Sequence, residues 1–152
     1  MALLWSLLSF CGTDFSLPSE RVRVTVVVIL ASNEGKRIDP KLQQIATEVQ
    51  KKHPELTNFR IEKTMARSIP IGDQSVFPLV EKAELLVVVE AAVSEDRRVN
   101  LSITPPQMKA ITYTCRCGKF FPILTRHQTE SGERLIIGIM GEPCLKGQKP
   151  TP

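Results

Sequence analysis

The segment over residues 21–31 constrains the fold more strongly than any other part of the chain. The aliphatic residues at every second position share one face of an extended strand: Val22, Val24, Val26, Val28 and Leu30. The opposite face is polar as far as Thr25 and apolar from Val27 onward. A strand that becomes apolar on both faces is typical of the interior of a sheet, where both faces are covered. We therefore expect residues 21–31 to form a central strand.

An amphipathic helix is predicted near residues 40–53. Asp39 can cap its first turn, Pro40 suits the first helical position, and Pro54 prevents its continuation. The apolar residues recur at the i, i+3, i+4 and i+7 spacing of a single stripe: Leu42, Ile45, Ala46 and Val49. We expect this stripe to pack the helix on one face of the sheet.

The remainder of the chain alternates short apolar segments with turn residues, which is typical of strands. These segments cover residues 59–62, 75–80, 83–93, 98–103, 110–124 and 134–140. Pro78 favours an edge position for its segment, because proline has no amide hydrogen for a ladder. The sequence therefore predicts the α+β class: a mainly antiparallel sheet of about six to seven strands with one amphipathic helix packed on it. A small two-layer β structure is the alternative.

The length of 152 residues suits one domain with a core of its own. We predict a single globular domain over residues 20–144, after a leader or disordered segment over residues 1–19 and before a flexible tail over residues 145–152. An apolar run at residues 3–10 makes the leader a partial signal sequence in one interpretation. That run is far shorter than the ~20 residues of a membrane-spanning helix, and it lacks a basic start and a small-residue cleavage site. We predict no membrane-spanning segment.

The net charge of +4 comes from basic residues that are scattered along the chain rather than grouped in a run. A nucleic-acid groove normally needs a basic stripe interleaved with aromatic residues, so we predict no nucleic-acid partner. The loop over residues 32–37 lies between a strand and a helix, as phosphate-binding loops do. It has only Gly35 and Lys36 of the required pattern, so we interpret it as a connection.

The sequence contains no recognisable catalytic constellation. It has two histidines, His53 and His127, and no G-x-S-x-G motif. His53 stands at the end of the predicted helix, where its positive form would complement the helix dipole. His127 stands in a polar stretch that we interpret as an exposed turn. We predict that the protein is not an enzyme; a small hydrolase that uses His53 or His127 as its base is a further hypothesis.

The sharpest local motif is Cys115-Arg116-Cys117-Gly118. Two cysteines at this spacing before a glycine are typical of a zinc knuckle, in which backbone amides turn toward the sulfur atoms. The motif resembles half of the small CSL-type zinc domain associated with diphthamide synthesis. The second cysteine pair of that domain is reduced here to Cys144, so His127 would have to supply the fourth ligand. Zinc binding by Cys115, Cys117, Cys144 and His127 is thus the alternative function.

Two interpretations of the same cysteines need no metal. Alternation along a strand places Cys115 and Cys117 on one face as small buried residues. In an oxidising compartment, Cys115, Cys117 and Cys144 are instead candidates for a disulfide. A bond between Cys115 and Cys117 is disfavoured by geometry, and the four cysteines of the chain allow three full pairings that the sequence does not distinguish. We predict no cofactor.

A longer resemblance begins with the run Ile29-Leu30-Ala31-Ser32-Asn33 and continues to Asp39-Pro40 and Leu42. This opening resembles an uncharacterised family of small bacterial exported proteins. Residues 120–124 and 132–139 are similar to the closing segment of that family. The resemblance implies several later strands and an exported or periplasmic location, and it implies no activity.

These observations together predict a non-catalytic binding or structural domain that is exported from the cytoplasm. The expected partner is another protein, bound through an exposed sheet edge such as residues 75–80. Pro78 within that segment is also a feature that protects an edge against unwanted pairing.

Overall fold

The computed structural model describes residues 21–93 and 98–143. The predicted leader and tail, and Cys144, lie outside the described residues. The helical part begins as a 3-10 turn at Pro40–Leu42 and continues as the helix α1, Gln43–Gln50. The strands are β1 (Arg21–Ser32), β2 (Asn58–Pro70), β3 (Gln74–Pro78), β4 (Glu84–Val93), β5 (Arg98–Thr104), β6 (Ile111–Arg116), β7 (Phe121–Gln128) and β8 (Arg134–Pro143).

These strands form two four-stranded antiparallel sheets. The first sheet has the strand order β2-β1-β8-β7, and the second has the order β3-β4-β5-β6. The helix packs on the first sheet, so the α+β class is confirmed. The prediction of about six to seven strands in one sheet is wrong, because the described residues contain eight strands in two layers. The two-layer alternative fits the structure.

The turn at residues 117–120 accounts for the additional strand. The sequence predicts one strand over residues 110–124, whereas the structure divides this segment into β6 and β7. Gly118 has a φ of 79°, in the left-handed region that favours glycine. The chain crosses there from the second sheet to the first, so β6 and β7 become edge strands of different sheets.

The central position predicted for β1 is confirmed, since it pairs with β2 on one side and β8 on the other. Its even-numbered residues from Val22 to Leu30 belong to the core between the two sheets. Val27, Ile29 and Ala31 face the opposite way and belong to a second apolar cluster under the helix. The two apolar faces of this strand therefore join three layers: the helix, the first sheet and the second sheet.

The helix uses the predicted cap and apolar stripe. The side chain of Asp39 accepts a hydrogen bond of 2.9 Å from the backbone amide of Lys41. Leu42, Ile45, Ala46 and Val49 are all buried against the first sheet. A Cβ atom at Gly138 of β8 would lie 3.1 Å from the Cδ1 atom of Ile45, so the absence of a side chain there allows the close approach of the helix. No helix in the described residues is long and apolar enough to cross a membrane.

A β-bulge in β2 changes which side chains face the second sheet. Val28 is paired with Lys63 and Ile29 with Ile61, so Glu62 is an extra residue on β2. Side chains on a regular strand alternate between faces, and one extra residue shifts that alternation. Arg60 and Lys63 consequently both lie opposite residues of β1 that face the second sheet.

Candidate functional site

Four strands lie at the edges of the two sheets: β2 and β7 in the first, β3 and β6 in the second. An edge strand presents backbone groups that a further strand can pair with, and proteins commonly protect such edges with lysine, proline or a bulge. The four edges of this sandwich differ in how well they are protected. That difference identifies the candidate site.

The edge formed by β3 corresponds to the predicted segment 75–80, and its edge position is confirmed. Arg67 of β2 partly covers it, because its Nη1 atom donates hydrogen bonds to Ser75 Oγ at 2.8 Å and to the Val76 carbonyl at 2.6 Å. The same guanidinium lies 4.8 Å from the ring centre of Phe77. Pro78 ends the strand and has no amide hydrogen to offer. The side chain of Arg67 therefore already covers part of this edge.

The edges of the first sheet are also protected. On β2 the bulge at Glu62 interrupts the ladder, and Lys63 follows it directly. On β7 Pro122 lies near the start of the strand, and the register shifts between Leu124 and Gln128. Both irregularities disfavour the regular pairing that an added strand requires.

The edge formed by β6 has none of these protecting features within Ile111–Arg116. Its register with β5 is regular from the Arg98–Arg116 pair to the Ile103–Ile111 pair. Its sequence, Ile-Thr-Tyr-Thr-Cys-Arg, consists mostly of residues that favour strands. All of its residues except Cys115 are exposed. We call β6 together with Phe120 of the following turn the β6 edge.

Large apolar side chains are exposed along the β6 edge. Ile111 and Tyr113 are 39% and 40% exposed, and Phe120 is 40% exposed. The ring of Tyr113 stacks on the ring of Phe121 with 3.9 Å between their centroids. Because Phe121 belongs to β7, this stack joins the two sheets on the β6 side of the sandwich. Val76 of β3 is the other exposed large hydrophobic residue among those described.

The charged residues of the chain segment that forms the β6 edge are all basic, while the carboxylate of Glu142 on β8 reaches the turn at Gly118. The sequence contains no aspartate or glutamate from residue 97 to residue 129. Exposed basic residues occur within this stretch before, on and after β6: Arg98, Lys109, Arg116, Lys119 and Arg126. Arg98 and Arg116 are directly paired across β5 and β6. Strand pairing therefore brings together two basic residues that lie far apart in the sequence.

Cys115 is a small buried residue at the inner side of the β6 edge. It is 2% exposed, and its Sγ atom lies 3.3 Å from the Val99 carbonyl that accepts its hydrogen bond. Burial raises the pKa of this thiol, because the thiolate would lose its hydration. Cys117 lies just beyond the end of β6 and is partly buried against the same core.

The structure does not bring His127 to the cysteines. Cys115 packs beside Gly141 of β8, whereas His127 precedes Gln128, which is paired with Arg134 of the same strand. At ~3.3 Å per residue, the stretch of β8 from 134 to 141 separates these positions by roughly 23 Å. The described residues contain no group of three or more histidine, cysteine or acidic side chains placed to hold a metal ion. Cys144, the third predicted ligand, lies outside them.

Each histidine is hydrogen-bonded to a glutamate. His127 is part of β7 rather than of an exposed turn, and its Nε2 atom lies 3.1 Å from Glu81 Oε2. The other oxygen of Glu81 accepts a 2.8 Å hydrogen bond from the backbone amide of Glu130. His53 Nδ1 lies 3.0 Å from Glu55 Oε1. A carboxylate partner of this kind can orient an imidazole, but it is not itself the hydroxyl or thiol group that a catalytic histidine activates.

A polar cleft of about 370 Å³ opens between β2, the β3–β4 turn and the β7–β8 turn. Its principal ion pair is bidentate: Arg60 Nε and Nη2 donate to the two carboxylate oxygens of Glu133 at 2.9 and 2.8 Å. This pairing lowers the pKa of Glu133 and raises the pKa of Arg60. The apolar floor consists of Leu30, Leu79 and Val80. Since Glu133 is held ionised by Arg60, it is poorly suited to act as a general acid near neutral pH.

Comparisons of the chain with protein-family models, with curated proteins and with solved structures found no match. The resemblance to small exported proteins therefore stays a prediction, and function must be argued from the surface itself.

The β6 edge is not among the sites predicted from the sequence. Two signals point to it: the alternation of Ile111 and Tyr113 with threonines, and the acid-free stretch that surrounds them. Neither signal shows from sequence alone that the strand lies at an edge, because that depends on how distant strands pair.

Proposed function

We propose that this chain is a non-catalytic protein-binding domain that accepts an extended segment of a partner protein beside β6. The observation that carries the proposal is the β6 edge itself. It holds three of the four exposed large hydrophobic side chains among the described residues, two on a regular and unprotected edge strand and one in the turn that follows it.

The physical basis is the addition of a strand to an open sheet. Alternate backbone amides and carbonyls of an edge strand point away from its neighbour, and a partner strand can satisfy them while its side chains contact the strand's two faces. Ile111 and Tyr113 lie on one face of β6, and Thr112 and Thr114 lie on the other. An added strand would cover the apolar pair, and this burial contributes ~25 cal/mol for each Å² of apolar surface removed from water.

The structure favours β6 over the segment that the sequence analysis selected. On β3, Arg67 already donates to the Val76 carbonyl, and a partner strand would have to displace this contact. On β6, Tyr113 is fixed by its stack on Phe121 and needs no rearrangement to present its exposed surface. A surface that is already in its binding conformation loses less entropy when the partner binds.

Export of the domain remains part of the proposal. It is supported by the resemblance of residues 28–42 to small bacterial exported proteins. The leader on which export would depend lies outside the described residues.

The proposal is tested by selecting octapeptides from a random phage-displayed library against the purified chain and mapping each bound peptide by hydrogen–deuterium exchange. We expect selected peptides to slow exchange of the backbone amides of β6. Ile111→Ser should weaken their binding by about tenfold, since it removes exposed apolar contact area from the surface. Val76→Ser is the matched control, because Val76 is 42% exposed on the opposite edge of the same sheet. Protection confined to β3, or equal losses in the two variants, would contradict the proposal.

A further inference from the structure

The basic residues around β6 define the chemistry of the partner. We propose that the segment added to β6 is acidic, with acidic and apolar residues in alternation. This inference rests on the function proposed above and adds the identity of the partner class to it.

The distribution of charge supports an acidic partner at both ends of the strand. Lys109 precedes β6, Arg116 ends it, and Lys119 lies in the turn that follows. Arg98, the β5 neighbour of Arg116, adds a second guanidinium at the same end. A partner strand the length of β6 therefore meets exposed positive charge at both of its ends, and opposite charges on neighbouring strands attract.

The two faces of β6 determine which positions of the partner strand are expected to be acidic and which apolar. Arg116 shares a face with Thr112 and Thr114, whereas Ile111 and Tyr113 lie on the face that turns toward β7. Successive side chains of an added strand also point to opposite faces. Its acidic residues would therefore meet the threonine and arginine face, and its apolar residues would meet Ile111 and Tyr113.

The same charges argue against a second copy of this chain as the occupant. Pairing of two β6 edges would bring Lys109, Arg116 and Lys119 of one copy close to the same residues of the other. Like charges at that separation repel, and Glu142 of β8, whose carboxylate reaches the turn at Gly118, offsets only part of this charge. A partner with carboxylates at alternate positions has no such penalty.

The test compares the affinities of three fluorescein-labelled probes for the full chain at low ionic strength. The first is an octapeptide of alternating glutamate and valine, the second is its glutamine-for-glutamate analogue, and the third is a short oligothymidylate of equal charge. We expect the acidic peptide to bind at least about tenfold more tightly than the glutamine peptide, with a difference that shrinks as salt is added. Arg116→Glu should remove this preference, while Arg37→Glu, an exposed substitution in the loop after β1, should leave it nearly intact.

Backbone pairing is separated from simple attraction by two N-methylated forms of the acidic peptide, one methylated at its odd amides and one at its even amides. Strand addition requires only one of the two sets of amides, so one form should bind and the other should not. Equal binding of the two forms would overturn the inference.

The remaining outcomes separate the inference from the proposed function. Equal affinity of the acidic and glutamine peptides, with β6 protected in both complexes, would overturn the acidic preference and leave the proposed function intact. If no peptide binds at β6, both the acidic preference and the proposed function are overturned. Tighter binding of the oligothymidylate than of the acidic peptide would assign the edge to a nucleic acid. A dimer that Ile111→Ser dissociates would assign it to a second copy of the chain. Either result would overturn the inference.

Discussion

The guanidinium of Arg67 lies 4.8 Å from the ring centre of Phe77, and this contact joins the edges of the two sheets. Arg67 is on β2 of the first sheet and Phe77 is on β3 of the second. The side chain of Arg67 therefore contributes to the contact between the sheets at one side of the sandwich, in addition to their shared apolar core, and it also occupies a carbonyl of the β3 edge.

Replacement of Arg67 by alanine should destabilise the fold and expose β3. Loss of the cation–π contact and of two hydrogen bonds should lower the free energy of unfolding by ~1–2 kcal/mol. Urea denaturation measures this change, with Arg37→Ala as a control at an exposed loop position. Hydrogen exchange at Val76 and its neighbours should become faster in the Arg67 variant only. An unchanged stability would show that the contact contributes nothing in water.

The Arg60–Glu133 pair should make stability depend on pH in the acid range. The pKa of Glu133 is lowered in the folded chain by Arg60, so the unfolded chain takes up the proton first as the pH falls. The stabilisation is present above the unfolded glutamate pKa of ~4.3 and is lost as the pH falls through the folded value. Glu133→Gln should cost about 1 kcal/mol at pH 7 and progressively less below pH ~4. Melting temperatures of both proteins measured across pH 2–7 check this, and curves that stay parallel would refute it.

The buried thiol of Cys115 should make stability depend on pH in the alkaline range. Burial raises its pKa above the unfolded value of ~8.5, so the unfolded chain releases the proton first. The stabilisation that comes from keeping this thiol protonated is complete below pH ~8.5, and it is lost as the pH rises toward the pKa of the folded chain. Relative to Cys115→Ala, the native chain should therefore lose stability between pH 8 and 10. In the folded protein, Cys115 should also react with a thiol reagent much more slowly than after denaturation, and fast labelling of this residue would contradict its burial.

Gly138→Ala should destabilise the packing of the helix. The new Cβ atom would lie 3.1 Å from Ile45 Cδ1, which is closer than a comfortable contact. We expect a loss of ~1 kcal/mol, within the range typical of an overpacked core. Ile45→Val removes the Cδ1 atom, so Gly138→Ala should cost less in that background. Equilibrium denaturation of the two single variants and the double variant measures the coupling. If the losses of unfolding free energy in the two single variants simply add in the double variant, the close contact with Ile45 Cδ1 is not the cause of the destabilisation.

β1 and the helix were easier to predict than the division of residues 110–124, because their signals are local. The alternation that begins at Val22 and the stripe from Leu42 to Val49 are each complete within a dozen residues, and both are confirmed. The division of 110–124 depends on Gly118, whose left-handed φ moves the chain from one sheet to the other. A pattern of apolar residues does not report which sheet a strand joins, since that choice is made by pairing between distant segments.

The candidate site also depends on strand pairing that the local sequence does not reveal. Ile111 and Tyr113 form an apolar pair that suits a buried face as well as an exposed edge, and only the end position of β6 decides between them. The placement of His127 was wrong for a related reason. Its polar neighbours are typical of a turn, yet Thr125, two residues earlier, is fully buried, and its side-chain hydroxyl donates a hydrogen bond to the Leu135 carbonyl of β8.

The strand order of the first sheet determines when its strands can pair during synthesis of the chain. β1 is the earliest described strand and β8 the latest, yet they are direct neighbours, with Leu30 opposite Leu135. While the chain emerges from the ribosome, β1 can pair with β2 but must wait for about a hundred further residues before its other side is covered. β7 also lacks its partner until β8 appears, so the nascent chain carries two incomplete strands at once. Until β8 has been synthesised, the open edges of β1 and β7 are therefore exposed to pairing with other chains.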